Sequence, residues 1–395
     1  IRRPPRSTQG VSSAASDVYK RQVLISDKLS EKAIKIFTDK GICVDFKPNI
    51  GKDKQALIEI ISKYDGIAIR SSTKVTEKII KYANKLKVVG RAGIGVDNID
   101  LSAATKKGII VMNTPFGNSI TTAEHAISMM MSAARQIPAA SSSTHSGKWE
   151  KSKFMGIELT AKTLGVIGAG NIGTIVCDRA LGLKMKVIAY DPYLSDDRAT
   201  KLGIAKVSLN ELLSQSDFIT LHVPLTEKTR NIIDSKAIKK LKSGAIVINC
   251  ARGGLVDEQA LADAILKNQI AGAAFDVFEK EPATDSPLFN VPNVVVTPHL
   301  GAATSEAQEN VAIQIAEQMS EFLLKGAVSN ALNMPSVTAE EALVMHPWLK
   351  LAENLGAFTG QMTEEPILQI QITYNGILKN LNLDALNCVA IAGIM

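Results

Sequence analysis

Residues Thr163–Gly173 read TLGVIGAGNIG, and this run decides the fold. A short buried strand, Thr163–Ile167, leads into Gly168, Gly170 and Gly173 in the spacing G-x-G-x-x-G, and a helical pattern follows over Asn171–Leu183. Gly168 permits a tight turn, Gly170 lets the backbone approach a pyrophosphate, and Gly173 lets helix and strand pack closely. Alone, such a triplet is weak. Here the second strand, Lys186–Tyr190, is closed by Asp191, 18 residues after Gly173. A carboxylate there accepts hydrogen bonds from both ribose hydroxyls and repels a 2′-phosphate, so NAD is the expected cofactor.

Downstream, strands are expected at Phe218–His222, Ala245–Asn249, Ala273–Val277 and Val294–Thr297, with helices such as Glu258–Lys267 between them. Ser305–Gln308 reads as a capping box opening a helix to about Lys325. Upstream, a second alternation starts at Val23. Its strands are Val23–Asp27, Val44–Lys47, Gly66–Arg70, Val88–Gly90 and Ile109–Asn113. Helices Glu31–Lys40, Lys54–Tyr64, Thr76–Lys85 and Leu101–Lys107 separate them, and a longer one, Ser119–Gln136, runs into the polar stretch Ser141–Ser146. Short apolar runs alternating with ~10-residue helical patterns predict βαβ units. The expected class is α/β, with two doubly wound parallel-sheet domains.

Of 395 residues, 46% are hydrophobic and 21% charged, the balance of a soluble chain of two or three domains. Residues 1–22 carry five basic side chains against Asp17, and without them the net charge falls from +6 to +2. That removes the case for a nucleic-acid partner. This Arg- and Ser-rich segment has no amphipathic pattern and reads as a non-native or disordered leader. No run reaches the ~18 apolar residues a membrane helix needs. Cys43, Cys177, Cys250 and Cys388 show no metal-ligand spacing, so no metal is expected and a reduced, cytoplasmic setting fits.

Three polar residues stand just past predicted strand ends, where ligands bind in open α/β sheets: Arg252, Glu281 and His299. A carboxylate beside an imidazole favours its protonated form and makes it a usable acid/base. A guanidinium fork binds a carboxylate two-pronged and polarises an adjacent carbonyl. With a nicotinamide nearby, these groups suffice for reversible hydride transfer at an alcohol carbon. The other histidines carry less. His145 and His346 read as surface residues and His125 as structural, while His222 is equally a lining or a core residue.

The run NCARGGLVD (Asn249–Asp257), then FDVFEKEP and TPHLGA, resembles the D-isomer-specific 2-hydroxyacid dehydrogenase family. RSSTKVT (Arg70–Thr76), VGRAGIGVDN (Val89–Asn98) and VMNTP (Val111–Pro115) are similar to the members that act on 3-phosphoglycerate. The resemblance implies a flavodoxin-like substrate domain (23–115 and 300–332), a Rossmann NAD domain (116–299) and an incomplete α+β domain from 333 to 395. It implies Arg252 for substrate binding, Glu281 for tuning and His299 as acid/base. It places Asn171 and Ile172 on the pyrophosphate, Asp191 on the ribose and Asp276 on the nicotinamide amide. Val223, Cys250, Leu300, Gly301 and Ala302 line the cofactor pocket with His299, and Ile94 approaches from the other domain.

The implied reaction is NAD-dependent oxidation of 3-phospho-D-glycerate, the opening step of L-serine biosynthesis. Arg252 and the Gly93–Gly95 N–H groups suit the substrate carboxylate, and Arg70 and Arg91 the phosphate. A homodimer or homotetramer is implied, with Trp149 as an interface anchor. Hinges are expected at Pro115–Ser119 and Leu300–Thr304. A glyoxylate or hydroxypyruvate reductase, a D-lactate dehydrogenase and an NAD-sensing corepressor-like protein remain alternatives. In the tail, Pro347–Thr359 reads as a helix with Pro347 in its first turn, Ile367–Tyr374 as a strand, and Ala385–Met395 as the stump of a truncated domain.

Overall fold

The computed structural model describes residues 20–362, 367–376 and 382–394. Two parallel sheets organise them. The first holds β1 (Gln22–Ile25), β2 (Cys43–Phe46), β3 (Gly66–Ile69), β4 (Val88–Arg91) and β5 (Ile110–Asn113) in the order 2-1-3-4-5. The second holds β6 (Thr163–Ile167), β7 (Lys186–Tyr190), β8 (Ala205–Lys206), β9 (Phe218–Leu221), β10 (Ile246–Asn249), β11 (Gly272–Phe275) and β12 (Val294–Val296) in the order 12-11-10-9-6-7-8. The first order is flavodoxin-like and the second doubly wound, with order reversals at β1/β3 and β6/β9. Both faces of such sheets are covered by helices, so β3 is apolar throughout and fully buried, and β9 and β10 are equally buried with only Thr220 and Asn249 polar.

Two long helices exchange between the halves. Ser119–Arg135 follows β5 yet buries Ala126, Met129, Met130 and Ala133 in the core that holds Leu164, Val166 and Ile248 of the second sheet. Ser305–Lys325 follows β12 yet buries Val311, Ile315 and Met319 in the core of Val23, Ile25, Val88 and Met112. Each fully buried side chain of this size stabilises by roughly 1.5–3 kcal/mol. The two crossings touch: the hydroxyls of Thr121 and Thr304 are 3.3 Å apart.

Several expectations need correction. The second long helix is capped by Thr304, whose Oγ1 accepts the Ala307 N–H at 3.2 Å, one residue before the expected cap. Ile137–His145 is a helix rather than a polar loop. Pro138 sits in its first turn, where no N–H is required, and Thr144 and Ser146 donate their hydroxyls back to the carbonyls of Ala140 and Ser142. The expected leader overlaps the fold, because Gln22 pairs in β1 and Arg21 meets Asp65 at 3.1 Å. Residues 1–19 of that leader lie outside the described residues.

Two helices, Ala339–Met362 and Leu383–Ile394, make up most of the described tail. Its first helix, Ala339–Met362, starts eight residues before Pro347, which stands inside it. The overlooked start signal is a reciprocal cap: Glu341 N–H donates to Thr338 Oγ1 and Thr338 N–H to Glu341 Oε2. The expected strand Ile367–Tyr374 pairs with no strand among the described residues, and Tyr374 instead donates its hydroxyl to Asn387 on the helix Leu383–Ile394. Alternation alone does not make a strand without a ladder partner.

Candidate active site

β12 ends at Val296, and the chain turns sharply through Pro298 to His299, which has φ 57°. Its backbone N–H donates to Asp276 O at 2.8 Å. The Asp276 side chain, fully buried, holds the rest of the turn. It accepts from Thr297 Oγ1 at 2.6 Å, Leu300 N at 2.7 Å and Gly301 N at 2.8 Å, with His125 Nε2 at 3.2 Å. Burial raises the Asp276 carboxyl, but these donors together outweigh it and hold it below the usual range. The resemblance assigned Asp276 to the nicotinamide amide. Both its oxygens are engaged in fixing the turn that carries His299.

His299 Nδ1 lies 2.6 Å from Glu281 Oε2. An ionised carboxylate can only accept, so Nδ1 carries the proton and Nε2 is left for the cleft. The other Glu281 oxygen accepts the Phe278 N–H at 3.0 Å. Burial raises the Glu281 carboxyl, yet the bonds from His299 and Phe278 bring it below its ordinary value. The loop is tied further back by Glu258, a buried carboxylate accepting from Glu279 N at 2.7 Å and Ser286 Oγ at 2.8 Å.

Across from this pair stand three arginines. Arg252 follows β10, Arg91 ends β4 and Arg70 follows β3. Burial first, then the like charges of Arg252 and Arg70, lower the Arg91 guanidinium to about 10, so the three groups lie within Coulombic reach of one another. Burial lowers Arg70 too, against the opposing charge of Asp27. Among the described residues neither the Arg70 nor the Arg91 guanidinium makes an ion pair or hydrogen bond, and Arg91 Nε is buried without a partner. Arg252 donates from Nε to Asp97 Oδ2 at 3.0 Å and from Nη1 to Ala251 O at 2.7 Å.

Backbone anchors fix this arrangement. Asp27 accepts the Arg70 N–H at 2.5 Å and the Thr73 hydroxyl at 2.7 Å, and Asn98 donates to the carbonyls of Arg70 and Thr73. In the Gly93–Gly95 loop, Arg91 Nη1 and Arg252 Nη2 press so close that a Cβ would stand 2.2 Å and 1.6 Å from them at Gly93 and Gly95. The Gly93 N–H is already donated to Thr114 Oγ1 at 2.8 Å, which corrects its expected place on the substrate carboxylate. Ile94 is held by its carbonyl, which accepts from Asn113 Nδ2 at 2.6 Å.

At the β6/β9 reversal, Gly168 adopts φ 95° against the His222 carbonyl and the Val223 side chain. A Cβ at Gly173 would stand 1.9 Å from Gly168 O, whereas one at Gly170 would meet nothing within 4 Å. The helix Asn171–Gly182 starts without a side-chain cap, leaving its first N–H groups without intrahelical partners beside the open Gly170, while Ile172 packs partly against the core. Asp191 accepts from Ala169 N and Tyr193 N, both at 2.8 Å, and borders an open depression with Tyr190, Pro192 and Val207. Gly301 adjoins Asp276 and the Cys250 carbonyl, and the exposed Leu300 and half-buried Ala302 flank it. Burial pushes the Cys250 thiol up, so it stays an uncharged wall. This uncapped helix end, open glycine and outward carboxylate fit a dinucleotide.

Residues 127–301 match the D-isomer specific 2-hydroxyacid dehydrogenase, NAD binding domain family, and residues 344–395 the D-3-phosphoglycerate dehydrogenase intervening domain family. A D-3-phosphoglycerate dehydrogenase of Synechocystis sp. is 46% identical over 375 residues, 95% of this chain and 67% of that protein. One from Archaeoglobus fulgidus is 45% identical over 374 residues, 94% of this chain and 71% of that protein. The chain belongs to the D-3-phosphoglycerate dehydrogenase family. It spans about two thirds of the length of these relatives. Among solved structures, a glyoxylate reductase from Paecilomyes thermophila superposes with a TM-score of 0.73 at 29% identity, covering 79% of this chain and 98% of that one.

Within a D-3-phosphoglycerate dehydrogenase scaffold that binds NAD, the structure brings His299 against Glu281, Arg252 within Coulombic reach of Glu281, and Arg91 within Coulombic reach of Arg252 and Arg70. Sequence reasoning missed Asp27, Asp97, Asn98, Thr114 and Glu258, and read His125 as structural, which its place beside Asp276 bears out. The signal of the missed residues was position: all but Glu258 follow directly on a strand of the first sheet or its loop. His222 is half-buried with Nε2 2.9 Å from Thr220 Oγ1, and burial lowers it to about 4, which makes it a neutral wall residue. Trp149 is 87% exposed. No helix among the described residues is long and apolar enough to cross a membrane.

Proposed function

We propose that this chain oxidises 3-phospho-D-glycerate to 3-phosphohydroxypyruvate, reversibly and with NAD. The observation that carries this reading is the Arg70–Arg91–Arg252 cluster, with Arg91 Nε buried and unpartnered, beside the His299–Glu281 pair. Two guanidinium groups without protein partners among the described residues match a phosphate dianion, and the third matches a carboxylate. When bound along the 168–173 cradle, NAD supplies the hydride acceptor. His299 Nε2 takes the C2 hydroxyl proton, and Glu281, held ionised by its donors, stabilises the resulting imidazolium. In reduction His299 returns that proton, while Arg252 polarises the carbonyl.

The domain assignment follows the same reading: 23–115 with 300–332 for substrate, 116–299 for NAD, and 333–395 as a further unit. Closure about Pro115–Ser119 and Leu300–Thr304 would exclude water from the cleft. The reading includes a cytoplasmic enzyme of L-serine biosynthesis and a homodimer or homotetramer in which the exposed Trp149 anchors a neighbour. The likeness to a glyoxylate reductase favours reduction of small keto acids as the second reading. Steady-state assays with 3-phosphohydroxypyruvate and glyoxylate separate them: the phosphorylated acid should be strongly preferred, and equal kcat/KM values would favour the second.

A further inference from the structure

Asp97 bridges the cleft. It lies in the loop after β4, and its Oδ2 accepts from Arg252 Nε, which follows β10 of the other sheet, at 3.0 Å. A two-pronged carboxylate needs one edge of the guanidinium. The Nη1 end is tied to the Ala251 carbonyl at 2.7 Å, a backbone group that cannot be exchanged without moving the β10 loop. The Nε/Nη2 edge is the one this tie leaves wholly untouched. Nη2 bears on Gly95, and Nε is held by Asp97. Unlike Ala251 O, the Asp97 carboxylate is on an exposed loop side chain, 69% accessible, whose rotation into water needs no movement of the backbone.

The charges point the same way. Asp97 is one of two carboxylates that offset the crowding of like charges at Arg91, the other being Asp27. Asp27 is buried and fixed by the Arg70 and Thr73 N–H groups and the Thr73 hydroxyl. Asp97 is therefore the only one of the two that an arriving anion can displace. We propose that Asp97 is an internal stand-in for the substrate carboxylate, holding Arg252 in place across the cleft and exchanged for the substrate on binding. The residue thus sets substrate affinity without touching the reacting atoms. The proposal rests on the reading of Arg252 as the carboxylate-binding group.

Asp97→Asn and Asp97→Ala both remove the competing charge from an exposed site, where folding is insensitive to it. Both should lower KM for 3-phosphoglycerate by about two- to fivefold, the scale of an exposed ion pair, while KM for NAD moves less than twofold. Oxalate, a carboxylate without an oxidisable hydroxyl, should bind both variants more tightly by a similar factor in a calorimetric titration. A KM that is unchanged or raised in both variants, or oxalate binding unchanged in both, overturns the proposal. The oxalate arm is independent of turnover. If the wild type fails to oxidise 3-phosphoglycerate while oxalate still tightens in the variants, the proposed substrate is wrong and the role of Asp97 stands.

Discussion

His299 Nδ1 sits 2.6 Å from Glu281 Oε2, and the loop bearing Glu281 is itself fastened by the buried Glu258. The pair is thus set by two successive layers of hydrogen bonds before any ligand arrives. His299→Gln should lower kcat by roughly 10²–10⁴-fold, the usual worth of a positioned acid/base. Glu281→Gln should lower it less and move the acidic limb of the kcat/KM profile, because the imidazolium loses its carboxylate partner. A mutant profile superimposable on the wild type would contradict the assigned role.

The Glu281 carboxyl lies below its ordinary value of 4.5 when folded. A depressed folded value means the pair contributes its full stability above 4.5 and loses it as pH falls through the lower folded value. Melting curves should therefore show the wild type's advantage over Glu281→Gln holding constant above pH 4.5 and shrinking as the pH falls below it. An advantage that grows on acidification would reverse the sign.

Arg91 is a half-buried cation with its Nε buried and no counter-ion in contact, and the repulsion of Arg252 and Arg70 is only partly offset by Asp97 and Asp27. Replacing an unpaired buried charge with an apolar side chain of similar length commonly stabilises a fold. Arg91→Met should raise Tm while raising KM for 3-phosphoglycerate by ~10-fold or more, the scale of a charge-assisted hydrogen bond. KM for an unphosphorylated hydroxy acid should move far less.

Two glycines in one motif should fail in different ways. A Cβ at Gly173 collides with Gly168 O, so Gly173→Ala should cost about 1–3 kcal/mol of folding stability by forcing helix and strand apart. A Cβ at Gly170 meets open space, so Gly170→Ala should leave Tm unchanged and weaken NADH binding in a fluorescence titration. Equal melting temperatures for both variants would refute the distinction.

The alternating pattern predicts every parallel strand but β8, because buried strands and amphipathic helices differ in period and length. β8 is a two-residue exposed edge strand too short to carry a pattern, whereas β6 with its glycines was readable from eleven residues. His299, Glu281 and Arg252 were legible because strand ends in this architecture face ligands. Asp97 and Glu258 were not. An exposed Asp in a loop and a Glu in the first turn of the helix Glu258–Leu266 both have ordinary local explanations, and only the fold brings one to Arg252 and the other to the Glu281 loop. The strand expected at Ile367–Tyr374 shows the converse failure, since period reports a face and not the presence of a neighbour to pair with.

The most direct test of the arginine cluster beside the acid/base pair is the ratio of kcat/KM for 3-phospho-D-glycerate to that for D-glycerate, followed as NADH formation. Two guanidinium groups aimed at a dianion should give a ratio of about 10² or more. A ratio near one would mean that Arg70 and Arg91 read no phosphate, and the account would be contradicted at its centre.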